Sequence, residues 1–286
     1  MLPAFLVEAA LYLAAGMQST RERLEELSPS RLALLTTVAA AVPYTICTVG
    51  LGVFDWRSAF LILVLAAFAS YFYVLLPHRP AIDLVFLACI ASVVLLKVFP
   101  RLFPAPLPRL ELSVLGAAMW VRTTMLVMLS IRKMDGVGFG FLPRARDWGI
   151  GLRYYLLFMP VAVALALWLG FVRVQPRPFG LRMVLLTVAT FFGILWIVAL
   201  SEEFFFRGVL QQTLDKLLDS RVAGLIIASL VFGAVHLPFR AFPNWRFAIL
   251  ATLAGVAYGL AFRAAGSIRA AMVAHALVVT TWRLLA

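Results

Sequence analysis

The chain has 286 residues, 64% of them hydrophobic and 13% charged, and a formal net charge of +12. Soluble domains carry about 25% charged residues. A mean hydropathy of +1.00 leaves more apolar surface than one water-soluble core can hide, so lipid is the solvent for much of this chain. The 25 basic residues lie scattered between apolar runs, with no patch or basic tail, which argues against a nucleic-acid partner and for anchoring beside a bilayer.

In chain order, residues 2–17 form an apolar stretch broken by Glu8, with no basic region before it and no small-residue cleavage site. That pattern predicts an interfacial or marginal spanning helix. Residues 17–31 are charged and helix-like, carrying Arg21, Glu22, Arg23, Glu25 and Glu26. Apolar runs follow at 32–53, 58–77, 81–99, 112–131, 154–173, 183–206, 222–236, 247–263 and 269–285. They are continuous and do not alternate, which excludes a transmembrane β-barrel and predicts an all-α polytopic bundle of about 8–9 helices. Cys47 and Cys89 lie inside such runs, form no CxxC pair and say nothing about redox compartment.

The connectors differ in character. Pro100 to Pro108 holds four prolines, which predicts a stiff extended link. Residues 132–153 make the longest polar loop, with Arg132, Lys133, Arg144, Arg146 and Arg153. Its glycines, Gly136, Gly138 and Gly140, follow no predicted strand, so a nucleotide-binding loop is excluded. Basic residues are heavier on the side of this loop, which predicts that it is cytoplasmic and brings Glu202 near the cytoplasmic face. In 208–221, Val209, Leu210, Leu214, Leu217 and Leu218 alternate at helical spacing with Gln211, Gln212, Asp215 and Asp219, a pattern suited to a helix lying in the interface. The chain divides into membrane helices at 1–131, of no assigned role, and a C-terminal part at 132–286 that carries the candidate chemistry.

An ionisable residue in a span costs about 2.5–3.5 kcal/mol at the helix centre, and so marks function. The set here is Glu8, Asp83, Arg122, Glu202, Glu203, Arg207, His236 and His275. Glu203 and Arg207, four apart, share a helix face in the acid-first order, which predicts a supporting ion pair. Glu202 points about 100° away and is left free. Taken singly, each has an ordinary explanation: a snorkelling carboxylate, or a hydrogen-bonded histidine at a helix end. Together, two carboxylates and two imidazoles on separate helices supply a base for water and donors for an oxyanion. There is no HExxH, no GxSxG and no serine–histidine pairing. His78, in LPHRP, reads as a loop residue.

The ordered set EExxxR (Glu202, Glu203, Arg207), FxxxH (Phe232, His236) and a histidine in a GS…A..AH helix (Gly266, Ser267, His275) resembles the CAAX-protease and bacteriocin-processing (CPBP, or Abi) family of intramembrane endopeptidases, which includes the type II CAAX prenyl endopeptidases. The resemblance covers roughly 140–286. It implies a polar cavity in the C-terminal half, open to the cytosol, and hydrolysis of a peptide bond in a membrane-associated protein or peptide. It implies Glu202 as the base, His236 as the group positioning water, His275 as an oxyanion donor, and Glu203 with Arg207 as the supporting pair; Phe232 becomes a weak candidate for substrate contact. It also implies an inner-membrane location. One position departs: where the family carries Asn or Asp four residues after this histidine, the chain has Val279.

Three functions are compatible with these residues: a glutamate-type endopeptidase, a non-catalytic relative that binds membrane partners, and a transporter using buried Glu and His as a proton path. Metal-free catalysis is preferred, with no cofactor required; zinc or another divalent ion held by Glu202, His236 and His275 is the alternative.

Overall fold

The computed structural model describes residues 1–104, 111–172, 180–239 and 241–285. Among them there are twelve helices and no strand. We number them α1 Leu2–Gly16, α2 Gln18–Leu24, α3 Pro29–Gly50, α4 Trp56–Leu75, α5 Pro80–Leu95, α6 Val98–Leu102, α7 Ser113–Ile131, α8 Ala145–Trp168, α9 Leu181–Leu217, α10 Arg221–Ala234, α11 Trp245–Ala265 and α12 Ile268–Leu285. Seven are long and apolar enough to cross a membrane, and the chain is an integral membrane protein. The pair α1 and α2, bent by 83°, makes an eighth span if counted together. The chain folds as two compact units, Met1–Asp135 and Gly136–Ala286.

In the first unit, α3 packs on α4, and α7 packs against α1, α3 and α4. Helix α1 ends at Gly16, where Met17 adopts an extended conformation and turns the chain into α2. Two buried ion pairs fasten the unit. Arg122 on α7 donates from Nε and Nη2 to the two carboxylate oxygens of Glu8, at 3.0 and 3.1 Å. Arg132 grips Asp83 in the same bidentate fashion, and the Tyr73 hydroxyl donates to Asp83 at 2.8 Å. Glu8, Asp83 and Arg122 are thus accounted for by one another and by Arg132.

Several expected boundaries are corrected. The run at 81–99 yields only α5, of 16 residues, because Lys97 takes a left-handed backbone (φ 52°) that breaks the helix. The proline-rich link opens as a short helix, α6; residues 105–110 of that link lie outside the described residues. Helix α8 begins at Ala145, inside the expected polar loop, because Asp147 accepts the Arg144 backbone N–H at 2.8 Å and closes the first turn. Helix α10 spans 14 residues, ending before Pro238.

The largest correction concerns α9. It runs through the predicted 183–206 span and on to Leu217 without a break, 37 residues in all. Its opening stretch, Leu181–Gly193, buries no residue, and Leu181, Leu185 and Leu186 stand exposed. From Phe204 to Leu214 it is mostly buried. The expected interfacial helix at 208–221 is instead the packed end of α9: Gln211 and Thr213 are each 1% exposed.

In the second unit α8, α11 and α12 pack on one another and α10 lies along α11. A Cβ on Gly233 would sit 1.9 Å from Thr252 Oγ1 and 2.6 Å from the Ala248 carbonyl, so α10 and α11 meet backbone to backbone there. The segment before α8 is tied to the start of α12: Ile268 N–H donates to the Val137 carbonyl, and Ser267 Oγ to that of Gly138. Only glycine fits at 138, where φ is +59° and a Cβ would lie 2.4 Å from Ser267 Cα.

Candidate active site

Glu202 and Glu203 sit in a single α-turn, Leu200–Glu203, between two stretches wound with i→i+5 bonds, Ile194–Ala199 and Phe204–Gln211. Such wide turns are rare and cluster at functional sites. This short turn aims the two neighbouring carboxylates into different surroundings.

Glu203 is fully buried. Its Oε1 accepts from Arg207 Nη1 at 3.1 Å and lies 2.7 Å from Nδ1 of His275, on α12. A carboxylate cannot donate, so the imidazole Nδ1–H does. The expected Glu203–Arg207 pair is present, and it has a third member that the spacing did not reveal. Arg207 is 1% exposed; its Nη2 donates to the Gly255 carbonyl at 3.2 Å. Its Cζ lies 4.4 Å from the Phe232 ring centre and 5.3 Å from that of Tyr258, which favours a cation stripped of water.

Glu202 keeps 30% of its side chain exposed, and its Oε2 stands 3.9 Å from His275 Nε2. That exceeds a hydrogen bond. The Oε2 atom is buried and has no partner, as is Glu203 Oε2. His275 therefore bridges the two glutamates, one nitrogen bonded and one facing an open carboxylate.

His236 lies just beyond the end of α10, half-buried. Its Nδ1 donates to the Phe232 carbonyl at 2.6 Å. Its ring packs on Phe232 and edge-on to Phe247, both at 4.8 Å. Among the described residues it makes no hydrogen bond to Glu202, Glu203 or His275. The link is Phe232, whose ring also lies 6.1 Å from that of His275. Phe232 is 2% exposed and packs between the two histidines and Arg207. His78 is a turn residue before α5, its Nε2 near the Tyr73 carbonyl.

Tyr258 belongs to this cluster and was not singled out from the sequence. Its ring stacks on the His275 imidazole, centroids 4.8 Å apart and planes 12° from parallel. A tyrosine in an apolar run reads as packing, and nothing in the spacing distinguishes it. Val279 on α12 is half-buried.

Among the described residues no group of three His, Cys, Asp or Glu side chains is disposed to hold a metal ion. Glu202, His236 and His275 are not gathered as a ligand set; Nδ1 of each histidine bonds to Phe232 or Glu203.

Residues 183–281 match the family model described as Type II CAAX prenyl endopeptidase Rce1-like. The matched stretch holds Glu202, Glu203, Arg207, Phe232, His236 and His275, and it agrees with the family that the motifs resemble. That family is one of membrane proteases, so hydrolysis of a membrane-associated substrate is supported at the level of the family. No curated protein and no solved structure matches the chain.

Proposed function

We propose that the chain is an intramembrane endopeptidase in which Glu202 activates water against a peptide bond of a membrane-associated protein or peptide. The observation that carries this reading is the pairing of Glu202 with His275, whose other nitrogen is bonded to the fully buried Glu203. A separation of 3.9 Å is one that a water molecule bridges. Glu202 takes a proton from the attacking water, and the hydroxide adds to the carbonyl carbon. Glu203 holds the imidazole plane and supports positive charge on it, so that Nε2–H donates to the oxyanion. Arg207 holds Glu203 in place through its Nη1 bond to Oε1. His236, with Nδ1–H spent on the Phe232 carbonyl, presents Nε2 as an acceptor for a water hydrogen. The proton on Glu202 then passes to the leaving amine.

A metal-free course is part of this proposal, and its support is that the histidine and carboxylate side chains do not converge as a ligand set among the described residues. The active site is proposed to face the cytoplasm, in an inner membrane, on the balance of basic residues flanking the spans.

The reading is tested with purified protein in nanodiscs and a farnesylated CAAX-terminated peptide as reporter. Cleavage by the parent, unaffected by a chelator and abolished in Glu202→Gln, is the expected outcome. Cleavage by Glu202→Gln at the parental rate removes the proposal, and loss of cleavage on chelation alone removes its metal-free form.

A further inference from the structure

Tyr258 is 2% exposed, and its phenol lies in the field of Glu203, Arg207 and Glu202 together. Buried tyrosines ordinarily find a partner for the hydroxyl, as Tyr73 does in Asp83. Among the described residues the Tyr258 side chain has ring contacts and no hydrogen-bond partner, and its hydroxyl is not one of the fully enclosed polar atoms. Two polar atoms of the same cluster, Glu202 Oε2 and Glu203 Oε2, are buried without partners. Two unmatched carboxylate oxygens and a phenol without a protein partner, all on residues that adjoin one imidazole, describe a place where a polar reactant sits. Two of them are carboxylate oxygens and can only accept when ionised; the phenol can donate.

An oxyanion beside two carboxylates needs more than one donor. His275 Nε2 provides one, and Val279, where the motif would carry Asn or Asp, provides none. Tyr258 is held with its ring parallel to His275, so the same stack that fixes the imidazole fixes the phenol.

We infer that the Tyr258 hydroxyl is a catalytic group of this site, the second oxyanion donor, standing in for the side chain that position 279 lacks. The inference rests on the endopeptidase reading above and adds a residue to it.

The test uses the full chain in nanodiscs with two probes: the farnesylated CAAX peptide, and the same peptide with the scissile amide replaced by a tetrahedral phosphinate. Tyr258→Phe keeps the ring and its stacking. It is expected to lower kcat about 10²–10³-fold with KM unchanged and to weaken phosphinate binding by a similar factor, while binding of the uncleaved peptide to a Glu202→Gln background stays constant. Val279→Asn added to Tyr258→Phe is expected to recover much of the loss, which a purely structural tyrosine would not allow. Tyr258→Phe with parental kcat and phosphinate affinity overturns the inference while leaving the endopeptidase intact, provided that Glu202→Gln is inactive. A Glu202→Gln variant that cleaves normally overturns the assignment of Glu202 as the base, the reading on which this inference rests. The phosphinate arm decides the matter even for a parent with slow turnover.

Discussion

Glu203 Oε1 accepts two hydrogen bonds at once, from Arg207 within its own helix at 3.1 Å and from His275 on α12 at 2.7 Å. One oxygen thus couples the fold of α9 to the orientation of the His275 imidazole. Glu203→Gln leaves Arg207 as a buried, unneutralised cation, and breaking such a pair costs about 3–5 kcal/mol. We expect Glu203→Gln to lower both the melting temperature in detergent and the residual activity. A normal melting temperature with normal cleavage contradicts this arrangement.

Arg207→Lys tests geometry against charge. A lysine keeps the charge but loses the planar group that reaches Glu203 and the Gly255 carbonyl while lying over Phe232. The expected result is reduced abundance close to that of Arg207→Ala. Full yield with abolished cleavage would instead make Arg207 a direct participant in the chemistry.

Glu202→Gln separates base from scaffold. Its side chain is partly exposed and makes no ion pair within hydrogen-bond distance, so the amide is expected to leave the thermal transition within a degree or two of the parent. The general-base contribution of about 10²–10⁴-fold is expected to vanish. Single-turnover cleavage of the reporter peptide measures it.

The contact of α10 with α11 is a fourth point of leverage. Gly233 adjoins Phe232, and any side chain there meets Thr252 and the Ala248 carbonyl. Gly233→Val is expected to destabilise by about 1–3 kcal/mol through overpacking and to reduce cleavage by shifting the Phe232 carbonyl that orients His236. Thermal unfolding and cleavage, followed on the same sample, check both effects.

In the first unit the Glu8–Arg122 pair invites a double-substitution test. Arg122→Leu alone strands a buried carboxylate and is expected to cost about 3–5 kcal/mol, whereas Arg122→Leu with Glu8→Met is expected to recover most of the loss. Equal stability of the two variants would show that the pair contributes nothing.

Much of the fold was legible because spans are written as continuous apolar runs, which membrane solvation demands. The candidate residues were legible for the same reason: Glu202, Glu203, Arg207, His236 and His275 stand out where charge is costly. The end of α9 was not. Helical periodicity separates Gln211 and Gln212 from Leu210 and Leu214 but cannot tell whether the polar side meets water or other helices, and Gln211 is buried. The joint between Glu203 and His275 was equally hidden, since it joins α9 to α12 and no spacing reports it. Tyr258 is marked only by its hydroxyl, one atom among many apolar ones.

The length of α9 bears on how water reaches the chemistry. At about 1.5 Å per residue, its 37 residues extend about 55 Å, nearly twice a hydrocarbon core of about 30 Å. The stretch from Leu181 to Glu202 accounts for about 30 Å of that, one full core thickness, and its first part buries no residue. If Leu181 marks one boundary of the core, Glu202 arrives at the other. A water then reaches Glu202 from the adjacent aqueous phase over a short path, and the protein-covered remainder of the helix continues on that same side. Depth, set by residue count alone, places the Glu202 carboxylate where lipid gives way to solvent.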